Sequence, residues 1–252
     1  MTDNSHSTPL AGRRALVTGA SRGIGAEIVR RLAADGAAVA FTYNSSPEPA
    51  EKLVAEVSAS GAQVVAIQAD SADPTATTAA VEQAVNTLGG LDILVNNAGV
   101  ASGAPIEEFS LEEFDRVVNV NVRGVFATTQ AAVPHLGDGG RIINIGSVNA
   151  ERVPVAGFSV YALSKAAVAG FTRGLAQELG PRGITVNNIQ PGPIATDMNP
   201  AEGPLAEQMT SLLALGRYGH TRDIASAVAY LALPEANYIT GAALNVDGGF
   251  LV

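Results

Sequence analysis

Arg14-Ala15-Leu16-Val17-Thr18-Gly19-Ala20-Ser21-Arg22-Gly23-Ile24-Gly25, with Ile28, Val29 and Leu32 following at helical spacing, is the stretch that decides the fold. A short apolar run suited to a buried strand breaks into glycines, and the apolar residues then recur every three or four positions. Strand, glycine turn and helix in that order aim backbone N–H groups and a helix N-terminus at a dinucleotide diphosphate. Glycines there permit the tight turn, the approach of the backbone to phosphate and the close packing of helix on strand. Gly19, Ser21, Arg22, Gly23, Ile24 and Gly25 are therefore candidate cofactor contacts.

Outward from this unit the same alternation continues to the end of the chain. Strand-like runs AVAFTY, QVVAIQ, LDILVN, RIINIG, ITVNNI and AALNV follow RALVT, and helical stretches begin near Gly23, Pro47, Pro74, Leu111, Val160 and Thr221. Near-continuous apolar strands separated by helices imply a parallel sheet covered on both faces. The expectation is an α/β fold: one doubly wound domain over residues 10–252 with a seven-stranded parallel sheet, preceded by a disordered tail over residues 1–9. Residues 193–216 carry Pro193, Pro200 and Pro204, then the apolar Leu205, Met209, Leu212 and Leu213, and are expected to form a mobile lid.

Composition removes several classes of function. The 252 residues are 47% hydrophobic and only 15% charged, against about 25% charged for an average soluble domain. Their formal charge is −9 and the basic residues are scattered singly, which argues against nucleic acid or an anionic membrane as partner. There is no cysteine, so disulfides, thiolate nucleophiles and thiolate metal sites are excluded, and three scattered histidines form no metal motif. No apolar run approaches the roughly 18 residues of a membrane span, and the first residues lack a signal-peptide pattern, so a cytoplasmic location is expected.

The second strand ends in Tyr43-Asn44-Ser45 with no acidic residue. An acid at that point would bind the ribose 2′-OH of NAD and repel a 2′-phosphate, so its absence, with Arg22 nearby, predicts NADP(H) held by Arg22, Asn44 and Ser45. Asp70 and Ser71 close the third strand, and Asn97 and Gly99 the fourth, where adenine and ribose contacts are expected.

Tyr161 and Lys165 stand one helical turn apart in a chain that has only two lysines. An ammonium beside a phenol favours phenolate and is expected to bring its pKa down from about 10 towards neutrality. Ser147, at the end of the fifth strand, is placed to donate to an oxygen on which charge develops.

Taken together, these motifs resemble those of the short-chain dehydrogenase/reductases over about residues 13–252. The matching positions are Thr18 to Gly25, Asn97-Ala98-Gly99, Asn121, Ser147, Tyr161 with Lys165, and Pro191 to Thr196. The resemblance implies a Rossmann fold with strand order 3-2-1-4-5-6-7 and a homotetramer, for which the apolar Phe250-Leu251-Val252 is expected to supply assembly surface. It implies that Tyr161 is the general acid in reduction, that Lys165 binds the nicotinamide ribose and lowers the phenol pKa, and that Ser147 polarises the carbonyl. Asn121 would hold a water in a proton relay, and Ile194 and Thr196 would contact the nicotinamide. A small-molecule carbonyl or alcohol is the implied substrate.

Enoyl reductases of this fold place a tyrosine seven residues before the lysine, where this chain has Phe158, which disfavours reduction of a carbon–carbon double bond. The overall look is that of a 3-oxoacyl-acyl-carrier-protein reductase. Those enzymes dock an acidic carrier with two basic residues; Arg182 matches the second, but Asp138 falls near the first. A reductase of free carbonyl compounds is the favoured expectation, with the 3-oxoacyl reductase as alternative and a non-catalytic dinucleotide-binding regulator as a distant one.

Overall fold

The computed structural model describes residues 8–252, so the tail expected over residues 1–9 lies, except for Thr8 and Pro9, outside the described residues. Seven parallel strands form one sheet in the order β3-β2-β1-β4-β5-β6-β7, as the resemblance implied. They are β1 (Arg14–Val17), β2 (Ala38–Tyr43), β3 (Val64–Gln68), β4 (Leu91–Asn96), β5 (Leu136–Ile145), β6 (Thr185–Pro191) and β7 (Ala243–Val246). The chain leaves β1 towards β2 and β3 on one side and returns to β4 on the other, so the strand order reverses between β1 and β4. Ligands of open α/β sheets bind at the carboxyl ends of the strands at such a point.

Helices α1 (Gly23–Ala34), α2 (Pro47–Ser58), α3 (Pro74–Leu88), α4 (Leu111–Val118), α5 (Val125–Ala132), α6 (Ser159–Leu179), α7 (Pro204–Ser211) and α8 (Thr221–Ala232) supply the crossovers and the cover. Side chains of β1 show how both faces are buried: Ala15 and Val17 join a core with Ile28, Leu32 and Val228, while Leu16 joins the opposite core with Val81 and Leu179. Alternate residues of a strand face opposite ways, so two cores need strands that are apolar throughout.

Local signals account for several boundaries. Asp73 caps α3 by accepting from the Thr75 N–H at 2.8 Å, with Pro74 at the first helical position. Ser110 caps α4 in the same way through the Glu113 N–H at 3.1 Å. The helix expected from Leu111 departs from the sequence reading in one respect: residues Asn119–Gly124 between α4 and α5 wind as a π-helix. Such widened turns commonly mark functional sites.

The chain's last residues depart from expectation too. Phe250-Leu251-Val252, read from the sequence as apolar surface for assembly, folds back on its own chain. Phe250 is 1% exposed, while Val252 is 96% exposed.

Candidate active site

At the carboxyl ends of the strands lies a cleft of about 450 Å³. Its floor is the turn between β1 and α1. Gly19 has a φ of +62° and lies so close to β4's exit that a Cβ there would stand 2.8 Å from Ala98 Cα. A Cβ on Gly25 would stand 2.5 Å from Asn97 Nδ2 and 2.7 Å from Ala20 Cα, so only glycine fits beneath the helix start.

The β1 and β4 exits are stapled together. Thr18 Oγ1 accepts from the N–H groups of Asn97 and Ala98, both at 3.0 Å. Asn97 Nδ2 donates to the carbonyls of Thr18 and Gly19 at 2.9 and 3.0 Å. Asn97, expected as a cofactor contact, thus lines the cleft while its amide N–H groups hold the glycine turn in place. Such a preformed cradle of backbone and small residues fits a dinucleotide diphosphate.

All of the expected cofactor positions border this one cleft: Gly19, Ser21, Arg22, Gly23, Ile24, Gly25, Asn44, Ser45, Asp70, Ser71, Asn97, Gly99, Tyr161, Lys165, Ile194 and Thr196. Arg22, Asn44 and Ser45 are exposed at the β2 end of it, and Arg22 forms no ion pair among the described residues. Asp70 Oδ1 accepts from the Ala72 N–H at 2.9 Å, which holds the β3 exit in a tight turn. Tyr43, Ala101 and Asp197 to Asn199 line the cleft too. Asp197 to Asn199 fall in the segment expected as the lid, and Tyr43 in the strand end expected at the cofactor, but no motif singles these residues out as contacts.

Ser147, Tyr161 and Lys165 border the same cleft from β5 and α6. Ser147 is 8% exposed, and its Oγ accepts from the Asn149 N–H at 3.1 Å. Lys165 Nζ stands 5.6 Å from the centre of the Tyr161 ring and donates to the Ile145 carbonyl at 3.0 Å. Phe158 packs edge-on against Tyr161 with ring centres 6.4 Å apart.

Electrostatics differ from the sequence expectation. Tyr161 keeps part of its surface open to the cleft but is packed deeply enough that desolvation pushes its pKa up from 10, against an opposing hydrogen bond to Ser147. Desolvation also lowers Lys165 to about 8. The expected lowering of the phenol by its ammonium neighbour is overridden, because the burial that brings the two groups together penalises the charged form of each.

Asn121 is 1% exposed and lies in the π-helical turn behind the cleft wall. Its Oδ1 accepts from the Val100 N–H at 2.8 Å, and its Nδ2 donates to the Val100 carbonyl at 2.9 Å and to Ser164 Oγ at 3.0 Å. Both ends of its side-chain amide are used in fixing the loop after β4. A Cβ on Gly99 would stand 3.4 Å from Lys165 Nζ and 3.5 Å from Asn121 Oδ1, so the two residues flank that glycine closely.

A family model described as "Enoyl-(Acyl carrier protein) reductase" matches residues 19–251. The chain belongs to the short-chain dehydrogenase/reductase family. Among the proteins this chain is similar to, the Escherichia coli cyclic-di-GMP-binding biofilm dispersal mediator protein is 46% identical over 95% of this chain and 97% of its own length. The Staphylococcus aureus 3-oxoacyl-[acyl-carrier-protein] reductase is 43% identical over 94% and 97%. Solved short-chain dehydrogenase/reductases are closely superposable. That of Serratia marcescens is 57% identical with a TM-score of 0.96, covering 97% of this chain and 100% of its own. One from Burkholderia cenocepacia, solved with NADP, is 53% identical with a TM-score of 0.95 and the same coverage.

Proposed function

We propose that this short-chain dehydrogenase/reductase is an NADPH-dependent reductase of free ketones. The observation that carries the reading is the meeting of Ser147, Tyr161 and Lys165 on one side of a cleft whose other side is the glycine cradle. Arg22 with Asn44 and Ser45, unopposed by any acid at the end of β2, suits the 2′-phosphate of NADPH. The Burkholderia cenocepacia structure with NADP supports the same cofactor.

Once bound, the nicotinamide supplies hydride to the carbonyl carbon. Ser147 Oγ donates a hydrogen bond to the carbonyl oxygen as negative charge grows on it. Tyr161 Oη then gives that oxygen its proton. A phenol whose pKa is raised by burial holds its proton at neutral pH, which is the state an acid needs. Lys165, at about 8, is mostly ammonium at pH 7, and its charge beside the ring favours the phenolate left after transfer. Asn121 serves by fixing Val100, and the segment over residues 193–216 acts as the lid. Phe158, packed on Tyr161 without a hydroxyl, supports carbonyl and not enoyl reduction, whatever the description of the family model.

The alternative, reduction of a carrier-bound 3-oxoacyl group, draws support from the Staphylococcus aureus relative. Against it stands Asp138, an exposed acid 3.9 Å from Arg182, whose charge opposes an acidic carrier at the point where Arg182, held by the carbonyls of Val133 and Leu136, would receive it. A non-catalytic role, which the name of the Escherichia coli relative brings forward, is the distant alternative. The test is NADPH consumption with aromatic ketones, cyclic ketones, a 3-oxo ester and a 3-oxoacyl thioester. Turnover of free ketones supports the proposal; strong preference for the thioester replaces it with the alternative, and no turnover of any sinks both.

We also propose a homotetramer. Phe126 on α5, Leu163 on α6, Tyr230 on α8 and Leu244 on β7 are 38–52% exposed apolar or aromatic side chains on outer elements. A monomer by light scattering at working concentration would refute it.

A further inference from the structure

Besides the two cores on the sheet faces, the molecule holds a third, small apolar cluster whose members come from segments far apart in the chain. Val148, the residue after Ser147, packs there with Ala206 and Leu213 from the segment over residues 193–216, with Tyr218 just beyond it, and with Phe250. All five are no more than 7% exposed, and Phe250 is the most deeply buried at 1%. A phenylalanine two residues from the end of the chain thus sits where the loop of Ser147 meets the lid.

Polar contacts fasten the same three pieces. Arg152 donates to the Phe250 carbonyl, and its guanidinium carbon stands 5.2 Å from the centre of the Phe250 ring. The Arg152 N–H returns to the Val148 carbonyl at 3.0 Å, so the contact reaches the turn that begins at Ser147. Asp247 shapes the chain's last turn by accepting from the N–H groups of Gly249 and Leu251 at 2.9 and 3.1 Å. The Gly248 carbonyl accepts from the Leu215 N–H at 3.0 Å, tying that turn to the lid segment. Apart from Ser147 none of these residues lines the cleft, and none belongs to the glycine cradle.

We propose that Phe250 is a positioning residue: the C-terminal turn latches the Ser147 loop to the lid and thereby sets the shape of the substrate half of the cleft. The proposal rests on the reading above that this half receives the carbonyl compound. An aromatic ring in a close-packed cluster transmits displacement, because its neighbours have no free space in which to relax. Loss of the ring therefore loosens the lid and the Ser147 loop together, while the strand exits and glycine cradle from Gly19 to Gly99, which would hold most of the cofactor, keep their own contacts.

The test compares the full-length chain with its Phe250→Ala and Phe250→Leu variants. In Phe250→Ala, amide hydrogen exchange over residues 193–216, followed with NADPH present, is expected to quicken by about tenfold or more. The KM for a ketone that the unaltered chain reduces should rise by about tenfold, while the Kd for NADPH stays within about twofold. Phe250→Leu, which refills most of the space, should restore exchange and KM most of the way. Should Phe250→Ala fail to fold, Arg152→Gln serves, since Arg152 is exposed and its change leaves the cluster's apolar packing in place. It should move exchange and KM in the same directions by about threefold.

Unchanged lid exchange in the folded variants overturns the latch, and so does a rise in KM matched by an equal rise in the NADPH Kd. Exchange needs no turnover. If the unaltered chain reduces no ketone, the functional reading fails while the latch is still judged by exchange.

Discussion

The two walls of the cleft are built on different plans. From Gly19 to Gly99 the wall consists of strand exits and short turns, held by bonds such as those of Thr18 and Asn97 that join neighbouring strands directly. From Ser147 to Asn199 the wall depends on side chains from distant places: Lys165 reaching the Ile145 carbonyl, Gln190 Nε2 donating to Glu151 at 2.7 Å and Asn245 at 2.9 Å, and the cluster around Phe250. One wall is a property of the sheet, and the other is a property of the whole chain. Changes in the first should therefore alter binding of the adenosine and diphosphate part of the cofactor, and changes in the second should alter chemistry, with binding largely kept except at Lys165, Ile194 and Thr196, which are expected at the nicotinamide end.

The sharpest way to break that comparison is Tyr161→Phe. Removing the hydroxyl should lower kcat for ketone reduction by a factor on the order of 10²–10⁴, the range of general acid catalysis, with the NADPH Kd within about threefold of the unaltered value. Titration of NADPH fluorescence beside steady-state kinetics reads both quantities. Full activity in the variant would remove Tyr161 as the acid, and a large loss of NADPH affinity would show that the walls are not separable.

Lys165→Met follows, and here the expected effect is on stability and its sign depends on pH. Lys165 has a pKa of about 8 in the fold against 10.5 for an ordinary lysine. Below pH 8 the folded chain carries the full cost of a buried ammonium, the cost falls as pH rises from 8 to 10.5, and it is gone above that. At about 1.4 kcal/mol for each tenfold change in proton affinity, the cost is on the order of 3 kcal/mol. Loss of the hydrogen bond to the Ile145 carbonyl offsets about 1 kcal/mol of the gain. The variant should thus resist urea better than the unaltered chain at pH 7, with the advantage shrinking between pH 8 and 10.5. A difference that does not vary with pH would show that Lys165 is not desolvated as the structure has it.

Arg22→Ala probes the first wall and should act on binding alone. Arg22 faces the cleft where the 2′-phosphate is proposed, so its loss should raise the NADPH Kd by about tenfold, the worth of one hydrogen bond to a charged group. The NADH Kd should barely move. Equal effects on both cofactors would place Arg22 over the diphosphate instead.

The same contrast explains how much of the molecule could be read from its residues. The first wall rests on signals a few residues long, such as Gly19 to Gly25 after an apolar run, and its strand ends repeat at regular intervals, so sheet order and cradle were open to sequence reasoning. Tyr161 and Lys165 were readable for the same reason, since one helical turn separates them. Phe250 was misread because a terminal apolar triplet has no period to say whether it faces inward, and its burial is decided by Val148 and Leu213 far away. The rise in the Tyr161 pKa was misread because the Coulomb argument uses spacing alone, whereas desolvation depends on everything packed around the pair. The π-helical turn at Asn119–Gly124 left no mark in a sequence that keeps helical periodicity on both sides of it.

Asp138→Lys is expected to have the smallest effect, and it bears on whether a protein carrier ever meets the second wall. Asp138 is 89% exposed in its side chain, and its 3.9 Å approach to Arg182 is a surface pair of little energetic weight. The melting temperature should stay within about 2 °C of the unaltered chain. Reversing that charge releases Arg182 from its only ion pair among the described residues and presents two positive groups where one acid stood. At low salt the KM for a carrier-bound 3-oxoacyl thioester should then fall by about two- to fivefold, with the KM for a free ketone unchanged and the gain lost at high salt. If the unaltered chain already prefers the carrier-bound substrate and Asp138→Lys changes nothing, docking uses a surface other than Arg182, and the 3-oxoacyl reading replaces the free-ketone one.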